Sequence, residues 1–199
     1  RLNEEYENLL NITVKLADKL SVERKKTAKV FEENVKQELA FLDMPKMQFY
    51  VDFNKGNLSS TGYDKIEFLI SANPGEPPKS LSKVASGGEL SRIMLAIKNI
   101  ISYNDTIGTL IFDEIDTGIS GKAAKVVGEK LKEISKHRQI ICITHLPQIA
   151  AKGDYHFAVQ KLESGDKTHS FITQLSKDER ISEIAKMISG DDTSTTSYK

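Results

Sequence analysis

The sequence holds one cysteine, Cys142, so no disulfide framework can staple it, and a reducing compartment is its natural setting. That cysteine lies inside an apolar run, where a small buried hydrophobe is a plainer reading than a reactive thiol. No apolar run reaches the length of a membrane span, and no membrane partner is expected. The four histidines, His137, His145, His156 and His169, lack the Cys/His spacing of a zinc site. Neither sign of charge is in excess: 28 Lys and Arg stand against 28 Asp and Glu, which leaves any nucleic-acid contact to local patches. ERKK (23–26) and KHR (136–138) are small basic clusters that a solvated helix face explains more simply. The opening, RLNEEYENLL, has no initiator Met and does not read as a signal peptide, so a piece of a longer chain is expected.

What is present is an ordinary globular composition, 39% hydrophobic and 28% charged over 199 residues, enough for one core with an appendage. Residues 1 to about 43 contain no Gly or Pro and predict continuous helix, stopped by Pro45. Leu2, Leu9 and Leu16 repeat every seven residues, as in a coiled-coil arm entering a globular head; the run is short enough that one long amphipathic surface helix fits as well. MQFYVDF and YDKIEFLISAN predict two strands joined by the loop NKGNLSSTG. After the Pro/Gly/Lys segment NPGEPPKSLSKVA, a helix is predicted from Gly87 to Tyr103. Then come a strand (Thr109 to Phe112), a helix (Lys122 to Lys136), a strand (Gln139 to Thr144), two strands (Tyr155 to Lys161, Thr168 to Leu175) and a helix from Lys177 to Ser189. Ser176 and Glu179 stand at capping-box spacing before that helix, and Gly190 stops it. The tail DDTSTTSYK is polar.

The strand–helix–strand unit from Thr109 to Thr144 sets the architecture. Two apolar strands joined by a helix predict a parallel pair covered on both faces, with ligands gathering beyond the carboxyl ends. Asp113 and Glu114 end the first strand and His145 ends the second, so the three should converge on one edge. An Asp after an apolar strand is where nucleotide hydrolases hold Mg²⁺ through water and phosphate oxygens, and the Glu beside it could polarise an attacking water. Two acids solvating a strand end would look the same in isolation.

A second element is ASGGELSRIMLAIKNII. Ser86 and Glu89 have capping-box spacing, and Leu90, Ile93, Met94, Ile97 and Ile101 form an apolar stripe. Gly87 and Gly88 nevertheless occupy the first turn, where glycine weakens a helix by about 1 kcal/mol each relative to Ala. Bare amides at a positive helix end, beside a Ser hydroxyl, suit a phosphate. The third element, ITHLPQIA, puts His145 at the same expected edge, where it could hydrogen-bond a phosphate oxygen.

SGGE before a helix, then LIFDEID, then ITH, in this order, resembles the C-terminal half of an ABC-type ATPase head. The finer wording, EFLISANPGE, KVASGGELSRIMLAIK, FDEIDTGISG, THLPQIAA and RISEIAKMISG, resembles the RecN family of bacterial DNA double-strand-break repair ATPases, which are related to the SMC proteins. The resemblance implies an α/β fold: the C-terminal lobe of an ABC-type (P-loop NTPase) head over residues 44–199, mostly parallel sheet with flanking helices, after a coiled-coil stub over 1–43. It implies that Ser86, Gly87, Gly88 and Glu89 close on the γ-phosphate of ATP held by an opposing head. It further implies that Asp113 supports Mg²⁺, Glu114 is the general base, His145 is the switch residue, and Asp116 and Ser120 belong to the nucleotide-binding set. Thr117 to Ser120 would form the loop crossing the interface. The common pattern has an Asp near Ser120, so that loop's contact departs from it.

No G-x-x-x-x-G-K-[ST] occurs; GISGKAAK lacks the spacing and follows the acidic strand, so Lys122 is not a phosphate-loop lysine. In the family the phosphate loop lies in an N-terminal lobe beyond the coiled coil. The implied partners are therefore that lobe, a second head in a homodimer, and DNA, in the cytoplasm at the nucleoid. A chain with half a site is expected not to hydrolyse ATP alone. Two other functions fit less of the sequence: a transporter-type ABC subunit, against which the helical lead-in and DEID argue, and a non-catalytic scaffold lobe, against which Glu114 and His145 argue.

Overall fold

The computed structural model describes residues 1–83, 87–101, 107–119, 121–164 and 167–189. They form two compact units, residues 1–101 and 102–199.

The first unit opens with the uninterrupted helix α1 (Leu2–Phe41). Its end is set by Asp43 in the left-handed region (φ 67°), with the Met44 amide donating to the Leu39 carbonyl at 2.9 Å. That closure satisfies carbonyls of the last turn, and Pro45 prevents continuation. Along the first twenty residues only Ala17 is buried, while Leu2, Tyr6, Leu9, Leu16 and Leu20 lie exposed. From Asp18 onward α1 packs on a hairpin of β1 (Gln48–Ser59) and β2 (Gly62–Ser71). Val35, Leu39, Leu42 and Phe49 are fully buried there, and the Phe31 ring meets Phe49 and Phe68 at centroid distances of 5.8 and 5.9 Å.

Polar bonds clasp the hairpin tip to the helix. Asp64, its side chain 4% exposed, accepts from Ser21 Oγ at 2.7 Å and Arg24 Nη1 at 3.1 Å. Tyr63 Oη donates to Asp18, and the Val51 amide donates to Glu32 Oε1 at 2.6 Å. This propping explains a departure from sequence: most of NKGNLSSTG, expected as loop, is strand, paired through Lys55–Asp64 and, after an irregularity, Ser59–Gly62, with the turn at Ser60 and Thr61 and Gly62 at φ 92°. A two-residue strand, β3 (Lys79–Ser80), adds to β2 and was hidden in the Pro/Gly/Lys segment. The unit ends with α2 (Gly87–Ile100), which buries Ile93 and Ile97 as expected and also Arg92, Leu95 and Ala96. Its expected extension to Tyr103 lies outside the described residues.

In the second unit, β4 (Thr109–Phe112) and β5 (Gln139–Cys142) run parallel, Leu110 beside Ile140 and Phe112 beside Cys142, joined by α3 (Gly121–Ile134). Ala124, Val127, Leu131 and Ile134 of α3 are buried, as are Leu110 and Phe112. The expectation that both faces are covered is not met: Ile111, Ile141 and Ile143 are 68%, 45% and 59% exposed. A short helix, α4 (Pro147–Ala150), follows β5 and packs on α3 at Gly128, where a Cβ would lie 3.1 Å from the Gln148 carbonyl. An antiparallel hairpin, β6 (Phe157–Ser164) and β7 (Lys167–Gln174), leads to α5 (Lys177–Ser189). The Ser176/Glu179 capping box forms in both directions, the Ser176 amide donating to Glu179 Oε2 at 2.7 Å. Gly190 and the tail lie outside the described residues.

The parallel pair expected of an α/β lobe is present, but it is the only parallel pairing among the described residues, so the sheet content is mixed rather than mostly parallel. No described helix is long and apolar enough to cross a membrane.

Candidate active site

Pairing of Phe112 with Cys142, continued by the Ile143 amide donating to the Phe112 carbonyl at 3.0 Å, brings the chain ends after β4 and β5 to one edge. The loop after β4 carries Asp113, Glu114 and Asp116; the loop after β5 carries Thr144 and His145. In such a pair this edge is where strand carbonyls end and a ligand can approach.

The acidic loop is built unusually. Glu114 adopts φ 57°, the left-handed region, a conformation that costs a residue with a Cβ on the order of 1–3 kcal/mol and persists only where its surroundings impose it. The Asp113 carboxylate accepts from the Glu114 amide at 2.9 Å, stabilising the turn, and both acids are exposed. Ile115, fully buried, anchors the loop. Thr117 donates its amide to the Glu114 carbonyl at 3.1 Å, and Gly118 at φ 77° carries the chain on toward α3.

Asp116 differs from its neighbours. Its side chain is 3% exposed and turned to the β5 loop, where Oδ2 accepts from Thr144 Oγ1 at 2.6 Å and the His145 amide at 2.8 Å and lies 3.1 Å from His145 Nδ1. These protein groups surround Oδ2 of a residue expected among the nucleotide-binding set. His145 keeps 73% of its side chain exposed. Thr144 was not singled out from sequence; a hydroxyl next to the histidine of ITH was the only available signal.

Cys142, at the end of β5, has its thiol pushed up to about 12, first by burial and then by the charges of Asp116 and Asp113. Burial and these charges favour the neutral thiol over the thiolate.

Of the other expected residues, Gly87, Gly88 and Glu89 form the first turn of α2 in the first unit, Gly88 buried. Ser86 and Ser120 lie outside the described residues. Lys122 sits in the first turn of α3, which follows the acidic loop in the chain. As a cation site, the edge offers the exposed Asp113, and no group of three His, Cys, Asp or Glu among the described residues could hold an ion alone. That donor set fits Mg²⁺ bound largely by water and ligand oxygens, not a protein cage.

No family model matches the chain. DNA repair protein RecN of Treponema pallidum is 42% identical over 203 residues, covering 98% of this chain and 35% of that protein. RecN of Bacillus subtilis is 43% identical over 183 residues, covering 84% and 32%. The chain matches the C-terminal part of RecN. It spans about a third of the length of the RecN proteins it matches. Among solved structures, the Smc head domain with a coiled coil and joint from Pyrococcus yayanosii aligns with a TM-score of 0.63 at 22% identity, covering 93% of this chain and 34% of that one. A Pyrococcus furiosus Smc head with an extended coiled coil gives 0.55 at 23% identity, covering 93% and 44%. The chain belongs to the RecN family. Its fold is that of these Smc head domains.

Proposed function

We propose that this chain is the C-terminal lobe of a RecN-type ATPase head acting in DNA double-strand-break repair. The observation that carries the reading is the single edge on which an exposed Asp113, a strained Glu114 and a braced His145 meet, in a sequence that matches RecN over nearly its whole length.

In this reading residues 1–43 end a coiled-coil arm and residues 44–199 form the lobe. Asp113 holds Mg²⁺ with the nucleotide's phosphates, an ion that would neutralise charge on the transferring phosphoryl group. Glu114, fixed in its left-handed turn, orients an attacking water and takes its proton. His145 presents its exposed ring to the γ-phosphate. Ser86, Gly87, Gly88 and Glu89 supply helix-end amides and a hydroxyl to the nucleotide of an opposing head. The phosphate loop comes from an N-terminal lobe, so the working unit is a homodimer of two-lobed heads, and its ATP cycle is coupled to holding DNA in the cytoplasm.

The test is steady-state ATP hydrolysis by the chain mixed with or fused to its N-terminal lobe. Wild type should turn over, whereas Glu114→Gln and Ser86→Arg should each lose at least about a hundredfold. The chain alone should be silent. Absence of turnover in every form would favour a scaffold lobe and return the paired acids to the role of a solvated strand end.

A further inference from the structure

The buried Asp116 carboxylate has no place in the chemistry assigned above, yet it is the most heavily engaged acid at the edge. We propose that Asp116 is a positioning residue for His145, fixing the loop after β5 through Thr144 and the His145 amide and fixing the imidazole ring through Nδ1. The inference rests on reading His145 as the residue that meets the γ-phosphate.

One oxygen, Oδ2, lies 2.6 Å from Thr144 Oγ1, 2.8 Å from the His145 amide and 3.1 Å from His145 Nδ1. A carboxylate oxygen presents only lone pairs, so it favours the proton on the Nδ1 atom 3.1 Å away. Nε2 is then the ring's one remaining polar atom, on a side chain that is 73% exposed. In the neutral ring it accepts a hydrogen bond, from a water for example; in the doubly protonated ring it donates, to a phosphate oxygen. A second partner of the histidine thus selects the tautomer and aims the ring.

The anchor is stiff. Asp116 is 3% exposed and follows the fully buried Ile115. Thr144 Oγ1, while donating to Asp116, accepts the Leu146 amide at 3.1 Å, so the turn ahead of Pro147 is tied into the same chain of bonds. The loop that bears Glu114 and the loop that bears His145 are therefore held by one carboxylate, and a displacement of either reaches the other.

The decisive experiment uses the intact protein labelled with ¹⁵N-histidine, with His145→Gln to identify the resonances of that ring. In wild type the neutral ring should be the Nδ1–H form. Asp116→Asn, whose carboxamide can donate to Nδ1, should shift it toward Nε2–H, and kcat for ATP should fall about tenfold to a hundredfold with KM within about twofold. A purely structural role would lower stability without moving the tautomer. An Nε2–H ring in wild type, or Asp116→Asn leaving both tautomer and kcat unchanged, overturns the proposal. The wild-type spectrum decides even if the variant does not fold. Should wild type hydrolyse no ATP, the ATPase reading fails while the ring's tautomer still decides the role of Asp116.

Discussion

At the scale of the residue, the acids of FDEID have different surroundings that their spacing does not reveal. Asp113 and Glu114 could be picked out as candidates because they end an apolar strand in a sequence that also carries SGGE and ITH. Asp116 could not be told from them, since only the pairing of β4 with β5 decides that it turns inward. The left-handed backbone at Glu114 makes a separate prediction: Glu114→Gly should keep stability within about 1 kcal/mol, because relieved strain offsets the extra freedom of the unfolded chain, and Glu114→Ile should lose about 1–3 kcal/mol. Urea unfolding of the two variants measures the difference, and equal stabilities would mean the turn is unstrained. Cys142 gives a pH signature. Its folded thiol holds its proton to about 12 against an ordinary 9.0, so the unfolded chain releases that proton first and the contribution to stability falls as pH rises through that window. Stability of Cys142→Ala should therefore decline less between pH 9.0 and about 12 than that of wild type, and parallel pH profiles would contradict the buried thiol.

At the scale of the element, hydrophobic period and stop signals made α1, α3 and α5 legible, with ends within a few residues of those expected. The hairpin tip was not, because Asn, Gly and Ser in NKGNLSSTG have turn chemistry and only the clasp to α1 keeps them extended. That clasp is testable. Burial alone would raise the Asp64 carboxyl, but hydrogen bonds from Ser21 and Arg24 and the charges of Arg24 and Lys25 outweigh it and hold it below its usual 3.8. The clasp is thus fully made above pH 3.8 and is lost as the folded carboxyl protonates at lower pH. Asp64→Asn should be less stable than wild type at pH 7 and should lose less on acidification below pH 3.8, followed by circular dichroism. At the α3–α4 contact, a Cβ on Gly128 would stand 3.1 Å from the Gln148 carbonyl and 3.1 Å from Lys152 Cγ. Gly128→Ala should come out near neutral, about 1 kcal/mol of helix propensity against a comparable clash, and Gly128→Val should cost about 1–3 kcal/mol in chemical denaturation.

At the scale of the whole molecule, several apolar surfaces stand bare. Ile111, Ile141 and Ile143 share a face of the parallel pair, and Phe157, Val159 and Ile172 share a face of the β6–β7 hairpin, all at least 45% exposed. In the proposed reading such a face is where the N-terminal lobe would dock. Ile111→Lys with Ile143→Lys should leave the circular dichroism of this chain intact and abolish its co-purification with the N-terminal lobe; retained co-purification would place that lobe elsewhere.

The clasp at Ser21, Arg24 and Glu32 also turns α1 into a lever with its fulcrum at the hairpin. The twenty residues beyond it project about 30 Å at the rise of a helix. Tilting the fulcrum by about 10° would swing their far end by about 5 Å, roughly one helical turn, so a slight adjustment where Asp64 grips the helix is magnified into a full step of register at its tip.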